Sequence, residues 1–258
     1  MSSIIYGPVP SWRLGRSLGI DLIATKSKVC SFDCIYCQLG NTIHFISRRK
    51  EFVSLADLDR ELRTVKDVSI DYATFSGMGE PTLAGNLGRA IELVKSTLQV
   101  PVAVLTNSSL MPREDVQQEL ALADVVVAKL DAPTEQLYHS INRPRTRYNL
   151  AQIIEAIKIF RSEYKGKLAL QMMFLGENKE VGTEMAKLAG ELSPDEVQIN
   201  TPLRPCAVKP LPPGEIADIC RAFSKLRGVV SVYEAAPFQT SPLNSSETQR
   251  RRPLPESG

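Results

Sequence analysis

Apolar and polar positions along this chain follow two alternating periods. Short apolar, β-branched runs read as strands at Leu18–Ala24, Tyr72–Ser76, Val100–Thr106, Asp124–Leu130, Lys167–Leu175 and Glu196–Thr201. Between them the spacing lengthens to that of a helix. Leu55, Leu58 and Leu62 share one helical face, and Leu87, Ile91, Val94 and Leu98 another. Val116 with Leu120 marks a short helix. The helical spacing returns in Ile153, Ile154, Ile157 and Phe160, in Val181, Met185, Leu188 and Leu192, and in Ile216, Ile219, Phe223 and Leu226.

Six βα units in series predict a parallel sheet, because right-handed crossovers lay each helix back on the sheet. The expected fold is α/β, an incomplete (β/α)6 barrel over residues 1–238 with parallel strands inside and helices outside. A doubly wound open sheet is the alternative. The unusual segments favour the barrel, since each follows a strand and so lands at the carboxyl ends of the strands. They are a cysteine-rich loop, Gly77–Pro81, Asn107–Pro112, Asp131–Tyr148 and Pro202–Pro213. Residues 239–258 are rich in Ser, Pro, Glu and Arg and read as a polar C-terminal tail without a core, Arg250 to Arg252 being a flexible charged end.

The chain has 258 residues, 43% of them hydrophobic, which suits one barrel-sized domain that needs no disulfides. Five cysteines is an odd number and does not suggest a disulfide framework. No apolar run reaches about 18 residues, so no membrane span is expected. The first residues lack a charged stretch followed by an apolar one, which points to a reducing cytoplasm. A net charge of +2 excludes an electrostatic nucleic-acid binder acting through the whole chain. Local patches remain. Arg143, Arg145 and Arg147 follow the fourth unit, and Arg13 and Arg16 precede the first strand. They suit an anionic small molecule or RNA as substrate.

Cys30, Cys34 and Cys37 are spaced C-x3-C-x2-C with no fourth cysteine nearby. A structural iron–sulfur cubane takes four thiolates, so three would leave one iron open to a ligand. The loop also allows zinc, with His44 completing a Cys3His set and making a non-enzymatic interaction module. After the second strand comes Ser76-Gly77-Met78-Gly79-Glu80-Pro81, whose glycines let backbone approach a ligand closely.

Together these two motifs resemble the radical S-adenosylmethionine (SAM) superfamily, including an aromatic residue, Tyr36, just before the last cysteine. Tyr6-Gly7-Pro8-Val9-Pro10, Leu130-Asp131-Ala132, Ile141-Asn142-Arg143-Pro144 and Gln198-Ile199-Asn200-Thr201-Pro202 resemble its branch of uncharacterised iron–sulfur oxidoreductases grouped with the wyosine tRNA-base synthases. The resemblance implies a 4Fe–4S cluster on the three thiolates, with SAM on the open iron. It further implies reductive cleavage of SAM to a 5′-deoxyadenosyl radical, with an electron donor such as a flavodoxin or ferredoxin. Gly77, Met78, Gly79 and Glu80 would form the SAM motif. Wyosine synthases carry a second cluster; here only Cys206 and Cys220 remain, too few for three further thiolates.

Strand parity supplies the other candidates. Lys129 and Asp131 share one face of the fourth strand, Asn107 and Gln171 end neighbouring strands, and Gln198 and Asn200 share a face of the sixth. Lys129 reads as an inward cation for the SAM carboxylate or the substrate, Asn107 and Gln171 as contacts to SAM, and Asn200 as lining the opposite wall. Met172 and Met173 are further candidates for the SAM site. Cys220 falls on an apolar helix face and reads as core. Cys206 follows the sixth strand and is the candidate catalytic thiol, motivating a radical SAM methyltransferase as the alternative function.

Overall fold

The structure, a computed structural model, describes residues 2–46, 48–234 and 239–253. It opens on an antiparallel hairpin, β1 (Ile5–Ser11) and β2 (Gly15–Ile20). Two short strands, β3 (Val29–Cys30) and β4 (His44–Phe45), pair with each other. Then α1 (Leu55–Arg63), β5 (Tyr72–Phe75), α2 (Leu87–Leu98), β6 (Val102–Thr106), α3 (Glu114–Leu120) and β7 (Val125–Lys129) follow. The second half holds α4 (Glu135–Asn142), α5 (Leu150–Glu163), β8 (Lys167–Met173), α6 (Gly182–Leu192), β9 (Glu196–Asn200), α7 (Pro213–Ala222), β10 (Val229–Ser231) and α8 (Ser245–Arg251).

Eight strands form one sheet in the order β1-β2-β5-β6-β7-β8-β9-β10, parallel from β2 to β10. It curls into a half-barrel with the helices packed on it. The six expected strands are present as β2, β5, β6, β7, β8 and β9. The first is displaced: the apolar run ends at Ile20, where the Asp21 carboxylate caps the amides of Ile23 and Ala24 and turns the chain. Short strand β10 and the hairpin partner β1 carried no clear alternation and add to the expected six.

Strand alternation separates two apolar populations. Leu18, Phe75, Val104, Val126, Leu170 and Ile199 are buried against the helices in the main core. Ala103, Val125, Val127 and Ala169 point the other way, into the half-barrel, where Leu14 from the hairpin turn packs on them. A fully buried Leu or Ile side chain contributes about 1.5–3 kcal/mol, so the many such residues of the outer population fix which face the helices cover. Side chains at the helix starts satisfy local amides: Ser54 caps α1, and Asn149 with Gln152 makes a capping box on α5.

The C-terminal stretch differs from its expected character. Its described part forms α8, and Arg251 is 1% exposed, held by Asp21 and Glu247. Paired carboxylates make a basic run compatible with burial. Residues 254–258 lie outside the described residues.

Candidate functional site

The cysteine loop is fastened on both sides by backbone. On one side Val29 and Gly79 form a bridge, with the Val29 amide donating to the Met78 carbonyl at 2.9 Å and the Glu80 amide to the Val29 carbonyl at 3.3 Å. On the other, the amides of Asp33 and Ile35 donate to the carbonyls of Asn142 and Ile141 at 3.0 and 2.9 Å, at the end of α4. The close approach explains both glycines of the turn. A Cβ on Gly79 would stand 1.6 Å from the Val29 carbonyl oxygen, and one on Gly77 would stand 2.2 Å from Asp21 Cγ.

Cys30, Cys34 and Cys37 line a cavity of about 490 Å³ together with Tyr36, Gly77, Gly79, Glu80, Asn107, Lys129, Gln171, Met173 and Asn200. Most of the residues expected at a SAM site therefore meet in one place. His44 does not join them; it is exposed on β4. A fourth ligand from His44 is therefore not in place beside the three sulfurs, which weighs against the Cys3His zinc reading.

Nitrogen donors surround the sulfurs. The Phe32 amide and Asn107 Nδ2 point at Cys30 Sγ at 3.4 and 3.5 Å, and Asn142 Nδ2 at Cys34 Sγ at 3.5 Å. Such bonds orient metal ligands and tune their electronics. Burial, and then the Glu80 carboxylate, push the Cys30 thiol up to about 12. Burial raises Cys34 as well, against the pull of Lys129. Thiols placed this way bind as thiolates only to a group whose positive charge replaces the lost solvation. Lys28, with its side chain 4% exposed, donates to the Gly40 carbonyl at 3.1 Å. Burial opposes its charge, but the surrounding Cys37, Cys30 and Cys34 outweigh that and leave the ammonium raised. Three sulfurs, amide donors and a buried cation fit an anionic iron–sulfur cluster.

Glu80 is 2% exposed and accepts from the Thr82 amide and hydroxyl, the Thr106 hydroxyl and the Asn107 amide. Burial raises its carboxyl, and those four donors oppose the rise. Lys129 Nζ stands 3.9 Å from Asp131 Oδ2 and 4.5 Å from the centre of the Tyr36 ring. Among the described residues that distant carboxylate is its one ion-pair partner, so the ammonium keeps donors for a ligand in the cavity.

Several expected roles change. Asp131 does not line this cavity. Its carboxylate takes the Tyr36 hydroxyl, Asn142 Nδ2 at 2.7 Å and the Met173 amide at 2.9 Å, so it fixes Tyr36 and α4 and has little left for a ligand. Met78 is 5% exposed in the main core and contributes only backbone to the turn; Met172 likewise faces the helices, while Met173 faces the cavity. Asn107 spends its amide on the cysteine loop. Cys206 sits beside the cavity instead of in it, its thiol donating to the Val208 carbonyl at 3.2 Å. Cys220 packs against the core as expected. Arg16 turns outward to Asp71, Arg145 lies over Phe45 and Arg147 over Tyr148; Arg13 alone of the two expected basic groups lines the cavity. Lys28 and Asp21 carry no signal in the sequence, and Asn142 stands in a resembling segment without a role of its own. The sequence did show Arg251 and Arg252, whose basic run read as solvated.

The sequence pattern of the Radical SAM superfamily matches residues 25–189. A UPF0026 protein of Methanocaldococcus jannaschii is 38% identical over 235 residues, 88% of this chain and 72% of that protein. Streptococcus suis SuiB bound to S-adenosylmethionine is similar in fold, with a TM-score of 0.62 at 17% identity over 80% of this chain. The chain spans 48% of the SuiB chain. TYW1 with a lysine–pyruvate adduct gives a TM-score of 0.59 at 18% identity, covering 81% of this chain and 73% of that one.

Proposed function

This chain belongs to the radical SAM superfamily, and from that premise we propose that it is an enzyme that binds a 4Fe–4S cluster and SAM in the 490 Å³ cavity and acts on an anionic substrate. The observation that carries this reading is the meeting of Cys30, Cys34 and Cys37 with the Gly77–Glu80 turn on one cavity wall. When bound, the cluster supplies the electron that cleaves SAM to a 5′-deoxyadenosyl radical.

The rest is the work of this chain. Cys30, Cys34 and Cys37 hold the iron. Glu80, whose second oxygen has one donor, accepts from the SAM ammonium group. Lys129 donates to a carboxylate, that of SAM or of the substrate. The Tyr36 ring is locked by Asp131 and walls the site. Gln171 and Asn200 offer amides from β8 and β9 to bound hydroxyls or carboxylates. A flavodoxin- or ferredoxin-like reductant delivers the electron. Cys206 points to the Val208 carbonyl, so a thiol-dependent methyl transfer has no support from its position.

The test is anaerobic reconstitution with iron and sulfide, followed by SAM and a strong reductant. The expected result is about one cubane per chain and release of methionine and 5′-deoxyadenosine. Tight zinc with no iron uptake, or S-adenosylhomocysteine as the main SAM product, would overturn it.

A further inference from the structure

Arginine gathers in the same cavity, on a stretch of wall away from Glu80 where, among the described residues, no carboxylate pairs with it. Arg13 reaches it from the hairpin turn at the amino end of the strands, Arg204 from the loop after β9, and Arg252 from the end of α8. Among the described residues none of the three forms an ion pair, whereas Arg251 next door has two. Nε of Arg13 and Nε of Arg252 are buried with no hydrogen-bond partner. Arg204 donates to the carbonyls of Arg252 and Pro253 at 3.3 and 3.2 Å, which ties two of the arginines together. Burial, then the charge of Arg252, push the Arg13 guanidinium down to about 9, with Glu196 opposing the fall and Arg204 adding to it; burial, then Arg252, push Arg204 to about 10. Guanidinium stays charged under ordinary conditions, so these directions describe like charges held near one another with no carboxylate in ion-pair contact.

The three side chains are half-buried, and buried guanidinium nitrogens such as these are rarely left without an acceptor. A phosphate group matches the donor set, since each guanidinium offers a planar fork and a phosphate has several strong acceptors. Trp12 also lines the cavity, with the Arg13 guanidinium 5.1 Å from its ring centre. We infer that Arg13, Arg204 and Arg252 form an anion subsite for the phosphate group of a small-molecule substrate, with the Trp12 ring beside it. The radical SAM reading enters only in calling that molecule the substrate. The subsite shares its cavity with the cysteines, which places a bound phosphate in the chamber where SAM would be cleaved.

The test uses the full chain, anaerobically reconstituted, and inorganic pyrophosphate as probe. Binding is followed by calorimetry and by emission of Trp12, the single tryptophan. The expected result is saturable binding that weakens as salt rises. Arg204→Gln and Arg252→Gln should each weaken it by about tenfold or more, since each removes charge-assisted hydrogen bonds. Arg13→Lys, which keeps the charge and loses the fork, should weaken it less than Arg13→Gln and guards against a folding defect in the latter. Arg227→Gln, on the exposed surface, should leave it unchanged. No saturable binding, or binding indifferent to all three sites, overturns the subsite. So does displacement of pyrophosphate by SAM together with equal loss of SAM affinity in Arg252→Gln, which would assign these arginines to the SAM carboxylate. Tighter pyrophosphate-independent binding of a single-stranded RNA to the same arginines would also overturn it. Pyrophosphate binding with no SAM cleavage would instead retain the subsite and sink the radical SAM reading.

Discussion

Arg251 Nε donates to Asp21 Oδ2 at 2.8 Å, with the two side chains 0% and 1% exposed. The pair joins the end of α8 to the turn after β2. The same carboxylate accepts the Met78 amide of the glycine turn at 3.2 Å. Arg251 also lies over the Tyr6 ring at 5.0 Å and donates to the Ser3 carbonyl. A single buried ion pair thus connects the C-terminal helix, the hairpin and the proposed SAM turn.

Breaking that pair leaves a buried charge without a partner. Arg251→Met is expected to cost about 3–5 kcal/mol in urea unfolding. Asp21→Asn combined with Arg251→Met should recover part of the loss, because neither charge is then stranded. Equal destabilisation in the single and double variants would show that packing, and not charge, governs the site.

Cys30→Ala, Cys34→Ala and Cys37→Ala should each abolish iron and sulfide uptake, measured by metal analysis of anaerobically reconstituted protein. Cys206→Ala should keep the full complement of iron and stay within about 0.5 kcal/mol of the parent in stability. Loss of SAM cleavage in Cys206→Ala with iron intact would restore the catalytic reading of that thiol.

Gly79→Ala tests the close approach of the two loops. Its methyl group would overlap the Val29 carbonyl oxygen, 1.6 Å away, and no side-chain rotation relieves a Cβ contact. The Val29–Gly79 bridge must open. The expected result is a stability loss of about 1–3 kcal/mol and SAM affinity lowered by about tenfold in equilibrium dialysis. Unchanged SAM affinity would detach the turn from the ligand.

Lys28→Met removes a positive charge from among the three sulfurs. A cationic neighbour favours the reduced, more negative cluster, so its removal should lower the reduction potential, by on the order of tens of millivolts. The measurement is a redox titration followed by electron paramagnetic resonance. Iron content should hold, since Lys28 is no ligand. An unchanged potential would place the ammonium outside the electrostatic reach of the cluster.

The period-two alternation of buried strands made much of this legible. Lys129, Gln171 and Asn200 were assignable to the lumen because parity within a strand does not depend on long-range contacts. Parity failed at Asp131, which lies past the end of β7 and whose partners, Tyr36, Asn142 and the Met173 amide, come from three other segments. Lys28 precedes a two-residue strand too short to show a pattern. Arg251 and Arg252 look solvated in sequence because composition cannot reveal that Asp21, far along the chain, buries one of them. Helix α4 has no clear sequence signature because it is short and lies in a loop-like stretch between Asp131 and Tyr148 with few apolar positions.

The backbone bonds from Asp33 and Ile35 to the end of α4 also bear on how iron enters. They are made by this chain's own amides and carbonyls, so the shape of the loop is set when the barrel forms and not when metal arrives. Metal uptake then resembles docking into a rigid receptor and carries little of the ordering entropy that couples zinc binding to the folding of a zinc finger. A chelator would strip the iron and leave the barrel standing, whereas a zinc finger treated in the same way unravels.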